Sequence, residues 1–167
     1  MSHCRTLLSG IIPMRCRMGT ALTICMLLTA LPRPGIAQSP EQQIQPLLDE
    51  QMAAANAHDT DRFLASYLRS PELVFVFNGA IIQGWDALRE QQLKWWKNGT
   101  SDVVYRQRGT PVFTVLGPDH AVVISRLASE RTMPDGTLST GEFVVTMIWQ
   151  KRAEGWRIIH AHESTMH

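Results

Sequence analysis

The chain closes on Trp156-Arg-Ile-Ile-His-Ala-His-Glu-Ser164, WRIIHAHES, in which two histidines and a serine recur at every second position. Alternation along a strand puts His160, His162 and Ser164 on one face, with Trp156 and Ile158 behind them. That face is a reaction site, a ligand wall or the polar end of a packing surface. Immediately upstream, Arg152-Ala-Glu-Gly155 suits a three-residue loop with Gly155 in the left-handed region and a bulge. Such a loop pairs Arg152 with Trp156, and further along Ile148 with His160 and Met147 with Ala161. A four-residue turn would slip this register by one and exchange the faces.

Working backwards, strands are expected over 140–151, 120–132, 110–116 and 102–107, separated by Pro134-Asp135-Gly136, Gly117-Pro118 and Gly109. ELVFVFNGAIIQG (72–84) reads as two short strands around Asn78-Gly79, the strongest short hairpin signal. WDALREQQLKWWKNG (85–99) is helical, with Trp85, Leu88, Gln92, Trp95 and Trp96 near one side and Gly99 as its stop. Ser39-Pro40-Glu41-Gln42 offers an N-cap, a first-turn proline and a capping box. Ile44, Leu47, Leu48, Met52 and Ala55 continue that helix to about His58, with Pro46 as an alternative start because an interior proline costs about 3 kcal/mol. Asp59-Thr60-Asp61 caps a short second helix through Phe63, Leu64, Tyr67 and Leu68. Helices, a strand pair, a helix and then long antiparallel strands make an α+β domain.

The 167 residues suit one domain after processing, and 44% apolar with 19% charged residues is an ordinary globular composition. Four of the 16 basic residues and none of the 15 acidic ones precede Gln38, so 12 basic against 15 acidic residues leave the body at net −3. An acidic body without a basic stripe argues against nucleic acid as a partner. The first segment has Arg15 and Arg17, an apolar run from Gly19 to Leu31, and a small-residue end with Gly35 and Ala37 before Gln38. Residues 1–37 therefore read as a secretory signal peptide, too short in its apolar run to span a bilayer, with Met14 as an alternative start. All three cysteines lie there, so residues 38–167 would be an exported domain, periplasmic or secreted, with no disulfide and no membrane contact after processing.

Four stretches, AHDTDRFLASY (57–67), NGAIIQGWDAL (78–88), GPDHAVVISR (117–126) and DGTLSTGEFVVTMIWQKRAEGWRIIHAHES (135–164), carry a resemblance. Together they resemble the SnoaL-like branch of the nuclear-transport-factor-2-like superfamily over essentially all of 40–165. The last hairpin is also similar to the association (hub) domain of calcium/calmodulin-dependent kinase, which shares its Trp…His-x-His-x-Ser frame. The resemblance implies a cone-shaped fold, a strongly curved sheet of about six strands with helices on its concave side. It further implies a pocket between helices and sheet, and a convex side that commonly forms a homodimer. The scaffold serves isomerases, cyclases and non-catalytic hubs alike, so it does not by itself imply an activity.

Candidate site residues fall into two groups. As an acid–base pair, His160 and His162 would need an orienting carboxylate such as Glu130, Glu142 or Glu163. A metal would need more than an i, i+2 histidine pair, and with no cysteine in the domain none is expected, nor any other cofactor. For a ligand pocket, Tyr67, Trp85, Trp95 and Trp149 supply apolar walls with polar handles, alongside Trp96 and Tyr105. By alignment with the hub domain, whose pocket arginines fall at Met147 and Glu163 here, Met147, Trp149, Ala161 and Glu163 face the cavity and the histidines the other side. Against that placement, the bend of the sheet is expected to bring its last residues, with His160, His162 and Ser164, to the pocket rim, and Glu130 is counted among the pocket residues. Ketosteroid isomerase-like and SnoaL-type enzymes rely on an acidic base, whereas Asp61, Asp86, Asp119 and Asp135 all read as helix starts or turns. The leading expectation is thus an exported, dimeric binder of an apolar or aromatic small molecule. Proton-transfer chemistry on a polyketide- or ketosteroid-like substrate is the first alternative, and a pure interaction module the second.

Overall fold

The computed structural model describes residues 38–166. The signal-peptide reading of 1–37, with its cysteines, lies outside the described residues, as does His167.

Helix α1 (Pro40–Asn56) starts where the capping box predicts: Ser39 Oγ accepts from the Gln42 amide at 3.2 Å, and Gln42 Oε1 from the Ser39 amide at 3.0 Å. Pro46 lies inside the helix without ending it. Its ring removes one intrahelical bond, while Ile44, Ala54 and Ala55 are buried by the same helix. Helix α2 (Thr60–Leu64) is capped by Asp59, whose Oδ1 accepts from the Arg62 amide at 3.1 Å. Strands β1 (Val74–Phe77) and β2 (Ala80–Gln83) flank Asn78-Gly79, both at positive φ as a two-residue hairpin turn demands. Helix α3 (Trp85–Trp95) follows and ends in a short 3-10 turn, Lys97–Gly99.

Five strands complete the sheet: β3 (Val104–Gln107), β4 (Val112–Val115), β5 (His120–Thr132), β6 (Leu138–Arg152) and β7 (Gly155–Thr165). Their order is β2-β1-β7-β6-β5-β3, with β4 also on β5. All pairs are antiparallel except β1 with β7, so the sheet is mixed and has seven strands. This is the α+β architecture expected, an open curved sheet carrying a few helices.

The β6–β7 hairpin departs from expectation in one decisive respect. Its loop has two residues, Ala153 and Glu154, so Arg152 pairs with Gly155 and Trp149 with Ile158. A bulge then intervenes, and from Ile148 onward the partners are His160, Ala161, His162 and Glu163. Ile159 is the extra residue. Because side chains alternate with period two, one inserted residue exchanges the faces of everything beyond it. Before the bulge the even residues Trp156 and Ile158 are buried; after it the odd residue Ala161 is, while His162 and Ser164 are exposed. Ile158 also bonds through its backbone to Ser66 and Leu68, whereas residues 160–163 pair with β1. The two halves of β7 thus have different neighbours as well as different faces.

The packing divides likewise. Ile44, Leu64, Leu73, Leu88, Trp149, Trp156 and Ile158 form a closed core at the hairpin end, and Trp156 Nε1 donates to Gln43 Oε1 of α1 at 3.1 Å. Beyond the bulge the inward residues Phe143, Val145, Met147 and Glu163 border a hollow beneath the helices.

Candidate ligand-binding cavity

The hollow is a cavity of about 340 Å³ between α1, α3 and the concave face of the sheet, the size of a small-molecule site. Alternation on β5 and β6 brings Ser125, Leu127 and Ser129, then Phe143, Val145 and Met147, to its floor. Phe75 and Phe77 of β1, Tyr105 of β3 and Phe63, Tyr67, Trp95 and Trp96 from the helical layer complete an aromatic wall. The rings meet at angles: Phe77 and Trp95 have centroids 5.0 Å apart, and Phe63 and Trp96 5.1 Å. Trp96 Nε1 donates to Tyr105 Oη at 3.0 Å, locking two of these rings together.

Glu163 is the one carboxylate in this lining, and no lysine, arginine or histidine accompanies it. It faces inward because the bulge at Ile159 put odd-numbered residues on that side, opposite Val145 of β6 and Phe77 of β1. Burial pushes its carboxyl up to about 7, and among the described residues no cation or donor offsets that cost. Burial, with the Glu163 charge in addition, raises the Tyr67 phenol far above its ordinary range. Burial raises Tyr105 too, opposed by the bond from Trp96. Gln51 lines the same space beside Tyr67, where its side chain opposes the rise of the phenol.

Of the residues expected at a pocket, Tyr67, Trp95, Met147 and Glu163 are there, joined by Trp96 and Tyr105. The rest are corrected by their positions. His160, His162 and Ser164 point to the convex side, paired with Ile148, Thr146 and Val144, since the bulge reversed their face. Glu130 lies on the outward parity of β5 and binds Arg106 Nε at 2.7 Å and Arg108 at 3.3 Å. Trp149 faces inward but is wholly buried in the closed core, outside the cavity. Trp85 opens α3 under the Arg69 guanidinium, 4.6 Å from the ring centroid, and borders an outer groove instead. Asp61, Asp119 and Asp135 stay at the surface, held by Arg89, His120 and Thr137.

Sequence reasoning passed over Phe75, Phe77, Phe143, Ser125 and Ser129. Alternation signalled the first three within VFVF and FVVTM. The two serines carry no such mark, because small polar residues on a strand more often face water. Chemically, the lining provides apolar walls, a few neutral polar groups and one acid. Among the described residues no three His, Cys, Asp or Glu side chains converge as metal ligands would.

The SnoaL-like domain model matches residues 44–167. The chain belongs to the SnoaL-like domain family. No curated protein matches its sequence significantly. Among solved structures, this SnoaL-like domain is similar to a nuclear transport factor 2-like superfamily protein from Salmonella enterica serovar Typhimurium, at 21% identity and a TM-score of 0.64, covering 76% of this chain and 91% of that one. The association domain of C. elegans CaMKII gives 20% identity and a TM-score of 0.63 over 75% and 95%. A ketosteroid isomerase-like protein from Erwinia carotovora atroseptica gives 21% and 0.60 over 75% and 95%. At these identities the likeness is one of fold.

Proposed function

We propose that this SnoaL-like domain is a small-molecule-binding protein whose ligand is a flat, largely apolar molecule held in the aromatic cavity. The observation that carries the reading is the hollow itself. Eight aromatic side chains border about 340 Å³ that the protein leaves unfilled beside a core otherwise closed. Filling such a space with apolar surface is favourable by about 25 cal/mol per Å² removed from water. Export of the domain remains part of the proposal, supported by the composition of residues 1–37.

The test is a titration with 2-methylnaphthalene, read by calorimetry and by Trp95 and Trp96 fluorescence. One saturable site per chain is expected, abolished by Ser129→Trp, which fills the floor. Undiminished binding by that variant, or none by the wild type, would refute the reading.

Pairing of two copies through the convex face is proposed alongside. A row crosses the sheet there from Val112 through Ile124, Thr146, His162 and Val76 to Ile81. Val112 and Ile81 at its ends are 59% and 72% exposed. Exposed apolar residues in one row fit a self-complementary interface. Light scattering on the same samples should give twice the chain mass, and a monomer at all concentrations would exclude it. A proton-transfer reading no longer draws on the histidines, which lie outside the cavity; Glu163 is the acid–base group that such chemistry would use.

A further inference from the structure

We infer that the cavity selects an aromatic organic cation, an amine protonated at neutral pH, with Glu163 as its counter-ion. The inference deepens the small-molecule reading and rests on it. Among the described residues Glu163 is the sole charged group of the lining, and none of them gives it an ion pair or a hydrogen-bond donor. An unpaired buried acid is a standing cost that an incoming cation offsets by charge and hydrogen bond together, and a neutral donor by a hydrogen bond alone. The same cation would lie among the rings of Phe77, Trp95 and Tyr105, and aromatic rings attract ammonium groups.

An anionic ligand has nothing to meet it, since no Lys, Arg or His lines the space. Arg131, whose charge acts on Tyr105, is paired with Asp102 at 3.0 Å. The ionisable groups facing Glu163 from other elements are Tyr67 and Tyr105, both held neutral by burial, so they leave its charge unbalanced. Gln51, whose side chain lies beside the Tyr67 phenol, is a further polar group at the side of the site. An amine centre attached to a two-ring aromatic body meets the acid, the rings and the volume together.

Three probes of one shape test the inference: 2-naphthylmethylamine, 2-naphthylmethanol and 2-naphthoate, titrated calorimetrically into wild type and Glu163→Gln at pH 8. In the wild type the amine is expected to bind about tenfold or more tightly than the alcohol, with the naphthoate weakest. Glu163→Gln, shown to be folded by thermal unfolding, should bind amine and alcohol within about twofold of each other. A second readout is proton linkage at pH 7, measured in two buffers of different ionisation enthalpy. Amine binding should release part of a proton from wild type, because burial raises the Glu163 carboxyl toward neutral pH, and none from the variant. Equal affinities for amine and alcohol in wild type overturn the cation inference and leave the binding reading intact. A preference that survives in Glu163→Gln assigns the selectivity elsewhere and overturns it too. Binding of neither the amine nor the alcohol overturns both readings.

Discussion

Trp156→Ala is expected to cost about 3–5 kcal/mol, whereas deletion of Ile159 is expected to keep the fold. Trp156 is buried and its Nε1 donates to Gln43 of α1, so truncation opens a cavity and breaks the bond to the helix. That loss is a large part of the roughly 5–15 kcal/mol that holds a typical domain together. Ile159 is the surplus residue of the bulge and has no partner on β6. Without it Ile158 and His160 become neighbours, Trp149 still pairs with Ile158 and Ile148 with His160, and Trp156, Ile158, Ala161 and Glu163 all stay inward by plain alternation. Only a partly buried side chain and the local twist of the bulge are lost. Circular dichroism and urea unfolding of the two variants measure the contrast. A deletion variant less stable than Trp156→Ala would show that β7 depends on the bulge itself rather than on the register on either side of it.

Glu163→Gln is expected to stabilise the protein above neutral pH and to do little below pH 5. The carboxyl titrates near 7 in the folded chain against an ordinary 4.5, so the folded state holds its proton more tightly than the unfolded one. Stability is therefore greatest while both states are protonated. It falls as pH rises from about 4.5 to 7, where the unfolded state has already released its proton, and levels off above 7. The full span corresponds to at most about 3 kcal/mol, at about 1.4 kcal/mol per pKa unit. Glutamine has nearly the shape of the protonated acid and does not titrate. Urea unfolding at pH 5, 6, 7 and 8 should show the variant drawing ahead of wild type through this interval. Subtracting the two curves removes the contribution of the histidines, which both proteins share. Parallel curves would mean that the Glu163 carboxylate is solvated.

The hairpin explains what the sequence conveyed and what it withheld. Its strands, the place of its turn and the pairing of Met147 with Ala161 were legible, because glycine punctuation and apolar alternation are local signals. That pairing was reached by two offsetting differences: the loop has two residues rather than three, and the residue missing from it reappears as the bulge at Ile159. The bulge leaves no compositional mark, since Ile158-Ile159 looks like any apolar step in a strand. HAHES beyond it then reads as a continuation of the face that Trp156 and Ile158 began. The capping box was equally plain from Ser39 and Gln42, and Pro46 misled only because helix propensity yields to burial of Ile44 and Ala54.

The site was less legible than the scaffold. Tyr67 and Trp95 were recognised as wall residues by type, but type could not separate them from Trp149 and Trp85. One of those fills the closed core and the other lies beneath Arg69 at the surface. Glu163 stood beside two more conspicuous histidines, and its role depends on parity and burial rather than on any motif. Glu130 is equally acidic and faces outward into a pair of arginines. Position on the sheet divides the two.

The measurement that meets the central claim most directly is a set of intermolecular proton–proton NOEs between bound 2-methylnaphthalene and the side chains of β6 and β7. The cavity predicts contacts to the Met147 and Thr165 methyl groups and to the Glu163 side chain, with none to His160, His162 or Ile148. Contacts to the imidazoles or to Ile148, without those to Met147 and Glu163, would put the ligand on the opposite face of the sheet and contradict the account.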